Sequence, residues 1–492
     1  MAGYCYTQRL DHPLRLIQCQ SVLWFRPVAM NAPIANPWHS RPIDVHRWSE
    51  HPEAVSLVDR LWASHFADFD QPHRSGPKTS FKNQLKVLIL DLFVAWKTDP
   101  ELSIGVPMSS NAWDTTSRYN ALRISKKIIP LIHQLHELGM IDMATGSYSG
   151  PLGPANRNTR IRASGQLQAV FTSISFGVED VQRHADQESI VLKDDERFVE
   201  YEDDDNTRGM RERLSAYNAL LQRSFIDIPS LDQPYIERRI TTGPAERQSE
   251  RVATTADRKF VRRIFSRGRW DLNGRFYGPW WQQVGKEWRS QIFIDDQPTV
   301  EVDFKGLHVN LLSLEAGVGI EGDPYELPNA GLPNVSAPLQ RALVKSLVLR
   351  AINAGTKPSA FSSFREDWPT GHLAKGLTNQ QLSGLLDLFV TQHPHLSDKL
   401  CAGHGIRLMY LDSRITDQVL TVATNFGLPL LGVHDSFIVA RDDKETLLQI
   451  VNTATREIVG TELPVEVSTP TLNPVRSEGY LARLEHHRPR FS

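Results

Sequence analysis

The chain contains 492 residues, of which 40% are hydrophobic and 23% are charged. This length and composition allow two or three domains with sizeable cores and exclude a chain that is disordered throughout. The three cysteines, Cys5, Cys19 and Cys401, form no Cys-x-x-Cys pair, which excludes a disulfide scaffold and a cysteine-ligated zinc site and fits a cytoplasmic protein. Because the sequence has no run of about 18 apolar residues, we expect no membrane span.

The formal net charge is −2, from 55 basic and 57 acidic residues, but the charges are unevenly distributed. Acidic residues concentrate in Asp194–Asp205 and basic residues in Arg238–Arg289. A balanced total does not by itself favour nucleic-acid binding, whereas local basic patches can supply phosphate contacts. The local distribution of charge is therefore more informative than the total.

The N-terminal third begins without periodicity and then predicts two helices. Residues 1–79 are rich in Pro, His and Trp and predict an irregular segment. Phe81–Trp96 has apolar residues at helical spacing and predicts a buried helix. Ile124–Leu138 predicts an amphipathic helix that Pro130 kinks or starts, and Gly139 follows as its C-terminal cap.

Two β-prone stretches follow these helices, separated by a Gly- and Pro-rich loop at Gly146–Asn158. Helix, helix, strand, loop, strand is the order of a winged helix, so residues 80–175 predict a nucleic-acid-binding domain with that loop as the wing. An ordinary helical domain with a hairpin and a solvated basic edge is the alternative. The segment resembles the winged helices of plasmid replication initiators. The predicted phosphate contacts are basic: Lys126, Lys127, Arg157, Arg160 and Arg162.

The rest of the chain divides into three parts. Residues 176–265 predict an acidic linker followed by a helical region. Residues 266–475 predict an α+β domain, because dense apolar strands and helices alternate from Thr299 to about Val467. Residues 476–492 predict a flexible tail.

The first candidate catalytic residue lies in Thr299–Gly317. Val300 and Val302 alternate with polar residues and predict a strand that ends at Asp303, with a helix after it. A carboxylate at the mouth of a strand is well placed to hold a metal ion, and the backbone carbonyl of Phe304 can add a second ligand.

The second candidate lies in Leu428–Asp443, where two hydrophobic runs flank His434 and Asp435. This pattern predicts a hairpin with Asp435 at the turn. A charged carboxylate between buried strands needs a partner, and a metal shared with Asp303 would supply one. Two such carboxylates can bracket two Mg²⁺ or Mn²⁺ ions for phosphoryl transfer.

A cationic helix is predicted over Ala337–Gly355. Arg341 and Lys345 are four positions apart and therefore share one face, which suits them to grip a triphosphate. Asn353 near the helix end is expected to approach the base and sugar of a nucleotide. Each of these three patterns is common alone, but their order along the chain is specific.

About residues 272–440 resemble the palm and fingers of the superfamily that holds A-family DNA polymerases and phage-type single-subunit RNA polymerases. VEVDFKGLHV resembles motif A, RALVKSLVLRAINAG motif B and VHDSFIV motif C. The resemblance implies that Asp303 and Asp435 bind the metal ions, with Phe304 as a backbone ligand. It implies that Arg341 and Lys345 bind the phosphates of the incoming nucleotide. Lys345 is the expected proton donor to pyrophosphate.

The sequence also departs from this family pattern. His308 stands where A-family DNA polymerases carry a glutamate that excludes the ribose 2′-hydroxyl, and the aromatic residue of motif B is replaced by the Asn353 region. The HDS form of motif C is closer to the RNA polymerases. The element DLNGRFYG is similar to one that precedes motif A in those enzymes, which makes Arg275 a candidate contact to template or primer.

Two further features each allow two interpretations, and three histidines are expected at the surface. Gly322–Leu327 either shapes the nucleotide pocket or is a turn set by Pro324. The pair Trp280–Trp281 either stacks on bases or belongs to the core. His393, His395 and His404 lack a zinc-ligand pattern and are expected at the surface.

We therefore expect an α+β fold: a right-hand polymerase palm with an antiparallel sheet and helical fingers, preceded by a winged helix, with the helical part of 176–265 as a thumb-like region. The expected activity is that of a DNA polymerase or primase-polymerase of a plasmid or mobile element. It would use DNA template and primer, dNTPs or NTPs, and two Mg²⁺ or Mn²⁺ ions, with a helicase or single-strand-binding protein as a possible partner. The alternatives are an RNA polymerase or RNA primase, and a non-catalytic DNA-binding initiator with a degenerate palm.

Overall fold

The structure is a computed structural model that describes residues 34, 36, 39–69, 80–148, 156–239, 249–327, 332, 335–470 and 475–491. Within these ranges no helix is both long enough and apolar enough to cross a lipid bilayer. The described chain forms two large hydrophobic cores, one in the N-terminal part and one in the remainder.

The described residues of the N-terminal module form the strands and α-helices β1 (Ser40–Pro42), β2 (Arg47–Trp48), α1 (Pro52–His65), α2 (Phe81–Thr98), β3 (Ser103–Val106), α3 (Ile128–Glu137), β4 (Ile141–Ala144), β5 (Thr159–Ala163), α4 (Gly165–Thr172) and β6 (Gln182–Arg183). Strands β1, β3, β5 and β4 form a sheet in that order, and β2 pairs with β6. Ser80 caps α2 by accepting a hydrogen bond from the Asn83 N–H.

The two predicted helices and the predicted hairpin are present in the predicted order as α2, α3, β4 and β5. Helix α3 starts at Ile128, so that Pro130 lies in its first turn, where a missing N–H is tolerated. It is followed by Gly139 with a left-handed φ of 69°. A bridge between Ser147 and Arg157 extends the hairpin, and residues 149–155 of the predicted wing lie outside the described residues. The assignment as a winged helix stays a prediction.

The C-terminal module begins with β7 (Ile190–Asp194), β8 (Arg197–Phe198), α5 (Asp205–Arg223), β9 (Ile226–Asp227), β10 (Tyr235–Arg239), β11 (Ser249–Ala253), β12 (Arg262–Phe265), β13 (Asn273–Tyr277), α6 (Lys286–Arg289) and β14 (Phe293–Ile294). It continues with β15 (Gln297–Phe304), α7 (Leu307–Glu315), α8 (Ala337–Asn353), α9 (Lys357–Glu366), α10 (Leu373–Gly376), α11 (Asn379–Gln392) and α12 (Gly405–Asn425). It ends with β16 (Leu430–Val433), β17 (Ser436–Ala440), α13 (Lys444–Val459), β18 (Val465–Ser468) and α14 (Glu478–Phe491).

The main sheet of this module has the order β16, β17, β15, β14, β9, and β18 pairs with the end of β15. All of these pairings are antiparallel, as predicted. Asp303 lies opposite Ser436 in the pairing of β15 with β17. Strands β16 and β17 are buried along their whole length, which explains their continuous hydrophobic runs. A second sheet has the order β13, β12, β7, β8.

A buried ion-pair network joins the two modules. Arg47 on β2 donates from Nη2 to Asp257 Oδ2 at 2.7 Å and also pairs with Asp91 of α2. All three side chains are buried. Removing one member would leave an uncompensated buried charge, so this contact holds the modules in one arrangement.

Three segment predictions are corrected by the structure. The segment predicted to be irregular contains α1, whose Leu57 and Leu61 are buried in the core beside α2. The predicted acidic linker and helical region, 176–265, contains the strands β6, β7 and β8, with buried residues such as Ile190, and is helical mainly in α5; the part after Arg223 contains β9 to β12. The predicted flexible tail contains α14, where Tyr480 is buried and Arg483 Nε donates to Asp227 Oδ2 at 2.7 Å.

Candidate active site

The two predicted metal-binding carboxylates lie close together at one end of the main sheet. Asp303 is near the end of β15, and Asp435 belongs to the two-residue turn between β16 and β17. The Phe304 N–H donates to the backbone oxygen of Asp435 at 3.3 Å, which ties the strand end to the turn. His434 in the same turn has a φ of 56°, a left-handed conformation that costs a non-glycine residue about 1 kcal/mol or more. The hairpin therefore holds Asp435 beside Asp303 at a small energetic cost.

The two carboxylates repel each other in a partly buried place. Burial and then the charge of Asp435 raise the pKa of Asp303 to about 6, while Lys345 works in the opposite direction. A cation between the carboxylates would reverse this effect by favouring the ionised form. A cation bound between Asp303 and Asp435 would therefore relieve the repulsion between the two carboxylates.

The donor set fits Mg²⁺ or Mn²⁺ held jointly with a phosphate ligand. Within the described ranges, no group of three or more His, Cys, Asp or Glu side chains is placed to hold a metal ion by itself. Mg²⁺ is commonly bound by one or two carboxylates together with substrate phosphates, and Asp303 and Asp435 supply such a pair. The predicted backbone ligand Phe304 lies next to Asp303 with its side chain in the core, and its role as a ligand stays a prediction.

Helix α8 contributes its cationic face to the same cavity. Arg341 donates from Nε to Asp323 Oδ2 at 2.6 Å. Lys345, one turn further along α8, is close enough to Asp303 to oppose the rise in its pKa. Arg350 donates from Nε to Asp367 Oδ2 at 2.6 Å. The cavity is therefore lined both by the carboxylates Asp303 and Asp435 and by the cations of α8.

A cavity of about 650 Å³ brings together residues from β13, β15, α7, α8 and the β16–β17 turn. Its volume is in the range of sites that bind drug-sized ligands. Every predicted catalytic, metal-binding and nucleotide-binding residue lines it, and so does the predicted template or primer contact on β13: Arg275, Asp303, Phe304, His308, Arg341, Lys345, Asn353 and Asp435.

The floor of the cavity contains a buried polar chain. Arg275 donates from Nε to Asp412 Oδ2 at 2.5 Å and from Nη2 to His308 Nε2 at 3.3 Å. Burial, followed by the charge of Arg275, lowers the pKa of His308 to about 4, so the imidazole is neutral at pH 7. Because Nε2 accepts from arginine, the proton lies on Nδ1, and that buried atom has no hydrogen-bond partner in the described structure. His308 therefore holds one buried donor that no described residue pairs.

Asp412 was not recognised from the sequence. It lies on the buried face of α12, where Leu408, Ile415 and Val419 recur at helical spacing. Burial raises the pKa of Asp412 to about 7, although its partner Arg275 opposes the change. A carboxylate on an otherwise apolar helical face is the signal that could have identified it.

Several predicted contacts lie away from the cavity. Arg162 is buried and pairs with Asp142 at 3.0 Å and with Glu101, which gives it a structural role in place of the predicted phosphate contact. Arg160 Nε donates to the Ser40 hydroxyl at 3.2 Å and is half-buried.

The remaining predicted phosphate contacts lie at or near the surface of the N-terminal module, and their role stays a prediction. Lys126 is exposed, whereas Arg157 is half-buried at the base of the hairpin. Lys127, half-buried at the start of α3, places its Nζ 4.6 Å from the centre of the Phe81 ring.

The tryptophan pair and one histidine are core residues. Trp280 and Trp281 are 0% exposed, and Trp281 Nε1 donates to the Gly432 carbonyl at 3.2 Å, so the base-stacking interpretation is wrong. His393 was expected at the surface but is buried, with Nε2 donating to the Pro324 carbonyl at 3.1 Å. Its ring packs against Phe389, which explains why a polar residue is accommodated there.

Comparison with known proteins gives limited information. No family model and no curated protein matches this sequence. Among solved structures, the chain is similar to the POL domain of Pol1 from M. smegmatis in complex with DNA primer-template and dNTP, with 12% sequence identity and a TM-score of 0.24. The similarity covers 37% of this chain and 40% of that chain. It is a weak structural similarity to a DNA polymerase domain, so function has to be inferred from the geometry of the cavity.

Proposed function

We propose that the chain is a template-directed nucleotidyltransferase that acts as a DNA polymerase or primase-polymerase of a plasmid or mobile element. One observation carries the proposal. Asp303, Asp435, Arg341 and Lys345 come from distant segments of the chain, and all four line one cavity, which thus combines carboxylates with cations. That charge arrangement suits a triphosphate with bound cations better than it suits an apolar or a purely cationic ligand.

In the proposed reaction, the 3′-hydroxyl oxygen of a primer forms a bond to the α-phosphorus of a nucleoside triphosphate. The hydroxyl loses its proton to solvent water, the bond from that phosphorus to the bridging oxygen breaks, and pyrophosphate leaves. When bound, two Mg²⁺ or Mn²⁺ ions at Asp303 and Asp435 would supply the charge that activates the hydroxyl and neutralises the phosphates. Arg341 and Lys345 bind the phosphate oxygens, and Lys345 donates a proton to the leaving pyrophosphate.

An RNA polymerase or RNA primase is the second candidate. The Nδ1–H of His308 and the hydroxyl of Tyr325 are buried atoms of cavity residues, and neither has a hydrogen-bond partner among the described residues. A ribose hydroxyl could bond to either of them, since unpaired buried polar groups favour a ligand that pairs them. Ribonucleotide use therefore needs a direct test.

The test is incorporation of labelled nucleotides on single-stranded DNA, with and without primer, comparing dNTPs with NTPs in Mg²⁺ and in Mn²⁺. We expect primer-dependent product that Asp303→Ala and Asp435→Ala each reduce by at least about 1,000-fold, because each removes a cation ligand. Product without primer would identify a primase, and synthesis from NTPs alone would identify an RNA polymerase. Absence of product that depends on Asp435 would refute catalysis and favour a DNA-binding initiator.

A further inference from the structure

A short turn between α7 and α8 contacts two residues that line the cavity, Gly306 before α7 and Arg341 on α8. This turn, Gly322–Leu327, contains Asp323, Pro324 and Tyr325, and it lies between the strand that carries Asp303 and the helix that carries Arg341. We call it the 322–327 turn. Its contacts on each side are specific enough to suggest a role beyond chain reversal.

On one side, Asp323 grips the arginine of α8. Its Oδ1 accepts the Tyr325 N–H at 2.9 Å, which fixes the carboxylate to its own turn. Its Oδ2 accepts the Arg341 Nε–H at 2.6 Å and also contacts Nη2. A guanidinium has five N–H donors, and this grip uses the Nε and Nη2 edge. The Nη1 end is not used by Asp323 and can contact a phosphate.

On the other side, the turn packs against the start of α7. A Cβ atom added to Gly306 would lie 2.8 Å from Pro324 Cγ and 3.5 Å from the Tyr325 ring, so only glycine allows this approach. Gly306 also has a φ of 56°, which favours glycine. The Pro324 carbonyl accepts from His393 Nε2 at 3.1 Å. These contacts fix the 322–327 turn against Gly306, which lies three residues after Asp303 in the sequence.

We propose that Asp323 is a positioning residue that holds the Arg341 guanidinium in register with Asp303 for binding the triphosphate. The proposal rests on the proposed nucleotidyl transfer and assigns a role to a carboxylate that does not touch the reacting atoms. Holding an arginine through one edge lowers the entropy lost when its other edge binds a phosphate. Because the 322–327 turn packs beside the end of β15, Asp323 fixes the position of Arg341 relative to that strand end.

The chain offers a matched control pair outside the cavity. Arg407 on α12 pairs with Glu315 on α7 through distances of 2.6 and 2.8 Å. The side chains of Arg407 and Glu315 are 42% and 36% exposed. Those of Arg341 and Asp323 are 38% and 24% exposed. Glu315→Gln therefore removes a similar arginine–carboxylate pair between two helices without altering the cavity wall.

The experiment is a double-mutant cycle of Asp323→Asn and Arg341→Gln in the full chain, measured as kcat and KM for primer extension. Asparagine keeps the acceptor for the Tyr325 N–H, so the turn is preserved while the ion pair is lost. We expect Asp323→Asn to lower kcat/KM about tenfold, mainly through KM, and Arg341→Gln to lower it about 100-fold. In the Arg341→Gln background, Asp323→Asn should change kcat/KM less than about twofold.

Glu315→Gln should stay within about twofold of the wild type, and Asp323→Glu, which keeps the carboxylate, should recover part of the lost activity. Equal losses from Asp323→Asn in both backgrounds would overturn the assignment, because the effect would then not pass through Arg341. Wild-type activity in Asp323→Asn, or activity above it, would overturn the assignment while leaving the proposed function intact. No incorporation by the wild type would overturn both.

Discussion

Replacing Asp303 with asparagine should make the cation-free protein more stable above pH 6. Burial and the charge of Asp435 raise the pKa of Asp303 from its ordinary 3.8 to about 6, so the folded protein holds this proton more tightly than the unfolded chain does. Ionisation of Asp303 therefore destabilises the fold. The resulting decrease in the free energy of unfolding is absent below about pH 4, develops between about pH 4 and 6, and is complete above about pH 6. Asparagine at this position carries no charge at any pH and therefore avoids this destabilisation.

The size of the effect follows from the pKa. A difference of about two pH units corresponds to about 3 kcal/mol in the free energy of unfolding. Asp303 is only partly buried, and solvent screening reduces this to about 1–2 kcal/mol. For a chain of this size, that gain should raise the melting temperature by about 1–2 °C at pH 8.

The assay is thermal unfolding in a chelating buffer at several pH values from 5 to 8. The control is Asp442→Asn, which removes an exposed carboxylate just after β17 and should change stability by less than about 0.5 kcal/mol. Adding Mg²⁺ should raise the melting temperature of the wild type more than that of Asp303→Asn, because the cation relieves the repulsion. A variant no more stable than the wild type at pH 8, or a difference independent of pH, would refute the electrostatic reasoning.

Two other predictions concern the N-terminal module. Lys126→Ala and Arg157→Ala should each weaken DNA binding and reduce the slope of log K against log salt by about 1, measured by fluorescence anisotropy; an unchanged slope would remove them from the interface. Arg162→Met should lower the free energy of unfolding by about 3 kcal/mol in urea melts, because it leaves Asp142 buried and unpaired. A loss of DNA affinity without a loss of stability would contradict the structural role of Arg162.

The sequence by itself predicted the local elements that carry the site. Alternation at Val300 and Val302 predicted the strand that ends near Asp303, and two hydrophobic runs predicted the hairpin with Asp435 in its turn. Helical spacing put Arg341 and Lys345 on one face of α8. These patterns are local, because the residues on one face of a strand or a helix recur at a fixed spacing along the sequence. The resemblance to polymerase motifs supplied the expectation that the three elements meet.

The tertiary structure alone decided which polar residues are paired and which chain segments are ordered. Asp412 meets Arg275 across 137 positions of sequence, and Arg483 of the predicted tail meets Asp227 across 256. Neither pairing leaves a periodic signal, since a buried charge is stabilised by whichever opposite charge the fold brings to it. The same reason removed Arg162 from the predicted phosphate contacts. The sequence determined the strands and helices that carry the site, and long-range packing determined which of its charged side chains are buried and with which residues they pair.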